Sequence, residues 1–242
     1  MAAHPIGLDE AVELTRTGDV WLFRGHSVAD RAIQTATNAP VNHVGMAVTI
    51  DDLPPLMWHA ELGRSLQDMW TGEFRRGVQL HDLRSAVQVW GERYGQRAFL
   101  RQLGLPPGTS DDPAGQARQA TMEDAVLRSV ARLSGTPFPT TLRLARRWVG
   151  GRGARVRALR IPLRAVPRRR EESAGLESAG LESAYCAEVV ASTYQAMGLL
   201  PGDRAVNWYD PGRFWSGDDL RLLGGAGLGD EIEVAVPARR AR

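Results

Sequence analysis

The chain has 242 residues, 43% of them apolar, which is enough for a buried core and suits one elaborated domain over residues 1–242 better than two small ones. It holds one cysteine, so no internal disulfide can form and a disulfide-stapled secreted fold is excluded. No stretch approaches the roughly 20 apolar residues of a membrane span, and the first twenty residues carry acids and lack the apolar core of a signal peptide. The expectation is a soluble, cytoplasmic protein.

Formal net charge is only +2, yet the sequence contains no lysine, so every cationic side chain apart from histidine is an arginine. Eleven arginines and no acid lie between Arg143 and Arg170. Near-balanced overall charge makes a solvated arginine-rich face the plain reading, although the segment would suit an anionic membrane surface or an acidic partner. No zinc finger, helix-turn-helix or aromatic stacking platform is present, so no specific nucleic-acid partner is expected.

In chain order, residues 8–16 form an amphipathic pattern that ends near Gly18-Asp19, and Val20-Trp21-Leu22-Phe23 is a short apolar run typical of a buried strand. Ser27 suits an N-cap for a helix over 28–37, with Val28, Ala32, Ile33 and Ala36 on one face, closed by Pro40. Two apolar runs, Val44 to Val48 and Leu56 to Ala60, flank the polar, proline-containing Asp51-Asp52-Leu53-Pro54-Pro55, which is a hairpin signal. Helices are predicted over 84–104 and 118–134, separated by a surface loop or insert near 105–117.

Arg155 to Leu163 has the alternation of a strand. Residues 172–184 repeat a five-residue unit (ESAGLESAGLESA), read as a solvent-facing insert without chemistry. Val190, Ala191, Tyr194 and Met197 then recur at helical spacing, with Gly198 at the expected C-cap, so Cys186 opens a helix. Strands early, helices in the middle and a strand before a last helix give an α+β class around a mostly antiparallel sheet.

The chemistry centres on that cysteine. A thiolate, not a thiol, attacks carbonyl carbon, and a helix start lowers the thiol pKa while its exposed N–H groups can donate to a developing oxyanion. The base is sought among five histidines. His4 is terminal, and His26 and His81 lie near turn-like segments without a clear apolar frame. His43 stands at a strand start and His59 lies within the adjacent run, so a hairpin brings both near one sheet edge, with His59 orienting the His43 ring. Glu61 shares a face with His59 and is the reserve orienter.

Glu188, in the first turn of the site helix, favours the helix dipole and is read as structural. His43, His59 and Glu61 also admit a metal reading, set aside because the helical histidine spacing that usually supports such sites is absent. No cofactor is called for.

The segments Gly18 to Gly25, Asn42 to Val48, Trp58-His59-Ala60 and Tyr185 to Val190 resemble those of circularly permuted NlpC-type papain-like enzymes, a group that includes YiiX-like hydrolases and relatives of lecithin retinol acyltransferase. Gly135-Thr136-Pro137-Phe138 and Tyr209-Asp210-Pro211 are similar to further elements of that group. The order His, polar residue, Cys is that of the permuted branch. Ala187 stands where serine is common, and His59 where glutamate is frequent, which leaves the third residue open between His59 and Glu61.

The resemblance implies a papain-like NlpC-type fold with a central mostly antiparallel sheet and packed helices. It also implies a thiol hydrolase or acyltransferase acting on an amide, ester or thioester of a peptide or lipid substrate. Cys186 would be the nucleophile, His43 the base, and His59 or Glu61 the orienter. The alternative class is a non-catalytic binding module that uses the arginine-rich face for an acidic or membrane partner.

Overall fold

Seven strands build the central sheet in the order β1-β9-β6-β2-β3-β4-β5, with every neighbouring pair antiparallel except β1 and β9. These strands are β1 (Ile6–Gly7), β2 (Val20–Arg24), β3 (His43–Val48), β4 (Leu56–Glu61), β5 (Gly77–Asp82), β6 (Arg97–Arg101) and β9 (Ile232–Ala235). A two-stranded ribbon pairs β7 (Leu103–Gly104) with β8 (Gly227–Leu228). The computed structural model describes residues 4–26, 31, 34, 39–50, 52–61, 63–106, 112–137, 185–218 and 220–236. The strand expected over 155–163, the Arg143 to Arg170 segment, the repeat at 172–184 and most of the helix expected over 28–37 lie outside them.

Side chains alternate cleanly across this sheet, so each strand feeds two separate layers. One layer takes Val20, Leu22, Val44, Met46, Val48, Leu56, Trp58, Ala60, Val78 and Leu80. It is covered by α3 (Pro113–Leu133) through Met122, Ala125, Val126 and Val130, and by α4 (residues 185–196). The other layer takes Trp21, Phe23, Ala47, Met57, Ala98 and Leu100. Its cover is α1 (Leu8–Leu14) through Leu8, Ala11 and Val12, and α2 (Leu83–Tyr94) through Leu83, Ala86, Val87 and Trp90. The class is mixed α+β with a mostly antiparallel sheet, and among the described residues no helix is long and apolar enough to cross a membrane.

The expected strand at 20–23 and the hairpin of 44–48 with 56–60 form as read, with Met46 opposite Trp58. The helix expected over 84–104 does not. It runs from Leu83 to Tyr94 and stops at Gly95, whose φ of 63° is the left-handed conformation that glycine adopts without a Cβ penalty. Arg97 to Arg101 then becomes β6, placing Phe99 in one layer and Ala98 and Leu100 in the other. The following helix starts at Pro113, five residues earlier than expected, because Asp112 caps it by accepting from Gly115 N and proline suits the first helical position. The loop near 105–117 is shorter by that much.

Buried polar groups pin the layers together. Asp19 Oδ1 accepts from Leu103 N (2.7 Å) and Oδ2 from Arg16 N (2.8 Å), while the Tyr194 hydroxyl of α4 donates to Gly18 O. Trp58 Nε1 donates to Thr193 Oγ1 of α4 (3.0 Å). Arg101, 5% exposed, donates from its guanidinium to the carbonyls of Gly229, Phe214 and Leu228 and lies 3.6 Å from Glu231, so one side chain anchors the C-terminal segment to β6.

Replacing Arg101 by methionine keeps much of the apolar stem but strands three carbonyls without their donor. A loss of about 3 kcal/mol is expected, read as a lower urea midpoint with unchanged slope.

Candidate functional site

Consecutive histidines on three neighbouring strands form a continuous chain of imidazoles. His43 opens β3, His59 lies in β4 and His81 in β5, and alternation turns all three rings to the α2 side of the sheet, the side of Met57 and Phe23. His43 Nε2 and His59 Nδ1 share a hydrogen bond of 3.1 Å, and His59 Nε2 and His81 Nδ1 share one of 2.9 Å. His59 thereby uses both ring nitrogens. His43 retains Nδ1 for a further partner, and His81 Nε2 is buried with no hydrogen-bond partner among the described residues.

The chain needs close approach between β3 and β4, and Gly45 permits it. A Cβ there would stand 2.3 Å from Met57 Sδ and 3.5 Å from His59 Cβ. Trp90 of α2 walls the rings from above, with its ring centroid 4.8 Å from His43 and 5.0 Å from His59, both at steep interplanar angles. Phe23 meets Trp90 edge-on at 4.6 Å.

The hydrogen bond of the Glu61 side chain goes to Ser65. Glu61 Oε2 accepts from Ser65 Oγ, and Ser65 Oγ in turn accepts from Trp90 Nε1 at 3.1 Å. The carboxylate therefore holds the tryptophan that walls the site. Oε1 of Glu61 and Oε1 of Gln79, which sits opposite His59 in the ladder, are buried without a partner among the described residues.

Cys186 belongs to α4 and is fully buried in the layer that contains Val44, Trp58 and Val190, while the imidazoles face the other layer. Glu188, also nearly buried, lies in the first described turn of that helix. The structure thus joins His43 to His59 and adds His81, which the sequence reading passed over; it seats Glu61 on Ser65 and Cys186 in the opposite layer. His81 had a legible signal. Val78 and Leu80 alternate with Gln79 and His81, a half-buried strand pattern hidden by the flanking Gly77 and Asp82.

Burial dominates the electrostatics. It lowers the His43 pKa to about 3 and that of His81 to about 4, and it depresses His59 as well, with neighbouring histidines adding to the effect on His43 and His59. All three rings are therefore neutral in the resting fold. Burial raises Glu61 against the hydrogen bonds from Ser65 and nearby backbone, and raises Asp19 to about 6. Among the described residues no group of three or more His, Cys, Asp or Glu side chains is arranged to hold a metal ion, since the ring nitrogens of His59 are spent on its neighbours.

A histidine whose folded pKa is depressed stabilises the fold fully above its unfolded value near 6.5, and that contribution is lost as pH falls toward the folded value. For His81 the window runs from about 6.5 to about 4. His81→Gln removes one such titration, so between pH 6 and 4.5 its unfolding free energy should fall less steeply than the parent's, by about 1.4 kcal/mol per pH unit. Asp19 acts in the opposite sense, its stabilisation being lost as pH rises through about 6, but it is common to both proteins and cancels in the difference. Urea titrations of the two proteins at several pH values read the slopes; equal slopes would show that His81 is not held neutral.

No protein-family model matches the chain, and no curated protein does. Among solved structures it is similar to metalloprotein yiiX from Escherichia coli O157:H7, at 18% identity and a TM-score of 0.40. The likeness covers 75% of this chain and 65% of that one, so the chain spans just under two thirds of that protein's length.

Proposed function

We propose that the protein is a thiol hydrolase or acyltransferase in which Cys186 attacks an amide, ester or thioester carbonyl, His43 moves the proton and His59 orients His43. The observation that carries this reading is the 3.1 Å bond between His43 Nε2 and His59 Nδ1. It fixes the ring of the base through one nitrogen and leaves Nδ1 for the nucleophile, which is the division of labour a catalytic triad needs.

His43 is the first residue of β3, so its ring stands at an end of that strand. The reading requires the first turn of α4 to meet it there. With His43 neutral, the resting pair is thiol and imidazole, and the imidazolium forms only when negative charge develops on sulfur beside it. Attack yields an acyl-thioester and a leaving amine, alcohol or thiol that takes the proton from His43. Water or another acceptor then releases the acyl group.

A second reading has its own observation, the complete burial of Cys186 in the layer away from the rings. In it the thiol is a small core side chain. The protein is then a non-catalytic module, and residues 143–170 supply the arginine-rich face for an acidic or membrane partner.

Two measurements separate these readings. Cys186→Ala and His43→Gln should each fold with a near-native melting temperature and lose on the order of 10³-fold or more of turnover on any acyl ester or peptide amide found to be cleaved. An activated acyl ester probe followed by peptide mapping should place the acyl group on Cys186 of the parent and on no residue of His43→Gln, because charge on sulfur develops only as an acyl carbon is attacked. Full turnover in Cys186→Ala would remove the thiol mechanism, and no acyl group on Cys186 would favour the module.

A further inference from the structure

Three neutral imidazoles in series leave little freedom in where their protons sit. Each ring carries one N–H and one lone pair, so two bonds among three rings admit only two arrangements. In the first, His43 Nε2–H donates to His59 Nδ1 and His59 Nε2–H donates to His81 Nδ1, which leaves a lone pair on His43 Nδ1 and an N–H on His81 Nε2. In the second every proton is reversed, and His43 Nδ1 carries a hydrogen and cannot accept one.

The carboxylate of Asp68 breaks the tie. Its Oδ2 accepts from Leu80 N (3.3 Å), the residue next to His81, and its Oδ1 accepts from Trp70 N, Thr71 N and the Thr71 hydroxyl, so this fully buried acid is fixed beside β5. Met69 N donates to Leu80 O (2.8 Å) and ties the same loop to the strand. Arg75, 3.4 Å from Oδ2 and 29% exposed, shares the charge from the solvent side. In the first arrangement the N–H bonds point along the chain toward the β5 end; in the second they point away from it. Negative charge beside β5 favours the first. Burial pulls the His81 pKa down, and the Asp68 charge acts upward against it.

We propose that His81, backed by Asp68, is a positioning residue that locks the tautomers of the chain so that His43 presents a basic Nδ1. The inference rests on the reading of His43 as the base, but its test does not pass through Cys186. Nitrogen-15 spectra of the full chain at pH 7.5 should show His43 with its hydrogen on Nε2 and an unprotonated Nδ1. A His43 hydrogen on Nδ1 overturns the proposal with no variant needed.

His81→Phe, which removes the acceptor, should shift His43 toward a mixture of tautomers, and Asp68→Asn should shift it the same way. His81→Gln, whose side-chain oxygen can accept from His59 Nε2–H, should restore the parent tautomer. An unchanged His43 spectrum in both folded His81→Phe and Asp68→Asn would also overturn it. Should the spectra come out as expected while Cys186→Ala keeps full turnover, the thiol reading fails and the tautomer lock stands.

Discussion

Pairing of β3, β4 and β5 in one register is the constraint on which the imidazole chain depends. Alternation has a period of two, so a slip of one residue in any of these strands would send its histidine through the sheet into the layer of Val44, Trp58 and Leu80. The register is held by large buried side chains on both faces. Trp58 is tied to Thr193 of α4, and Gly45 lets β3 and β4 approach at His59. At the β5 edge, Val78 N donates to Thr136 O and Gly135 N to Val78 O, while Met69 N donates to Leu80 O, so loops cover the exposed ladder groups.

Burying three imidazoles is costly unless they satisfy one another, and this fold solves the problem by arranging them in series. Two bonds serve four of the six ring nitrogens. Trp90 covers the first pair with an aromatic ring, and its own N–H is met by Ser65, which donates to Glu61. Glu61 thus shapes the site from outside it. Removing water around the rings is also what keeps His43 and His59 uncharged, because either one protonated would lose its hydration and face only other imidazoles.

Much of this was legible in the sequence, and the misses have physical causes. The runs 20–23, 44–48 and 56–60 read as strands because β-branched, aromatic and long apolar residues filled both faces between clear turn signals. The pairing of His43 with His59 followed from that hairpin. β6 was read as helix because arginine and leucine are good helix formers and the left-handed turn at Gly95 was not weighted. His81 escaped because its strand begins at a glycine, ends in a helix cap at Asp82 and carries two polar residues on one face, which mimics a surface turn. Glu61 looked like a partner for His43 on strand parity alone, but parity fixes a face and not a distance. Ser65, only four residues on, reached it first.

The two layers carry different kinds of chemistry, and that division constrains any mechanism. α4 is buried almost all round over its first two described turns, from Tyr185 through Ala191, so its first described turn is seated firmly rather than displayed on a surface. A thiol in such a place is shielded from solvent and from adventitious oxidants, and its charged form is costly there unless a cation or helix dipole compensates. The imidazole chain is equally dry. If sulfur and ring meet at the end of β3, charge would develop between two groups that each prefer neutrality, and attraction between the opposite charges formed would be strong because little water screens it. Under the proposed thiol reading, such a site would stay electrically silent until an acyl substrate gave the separated charge somewhere to go.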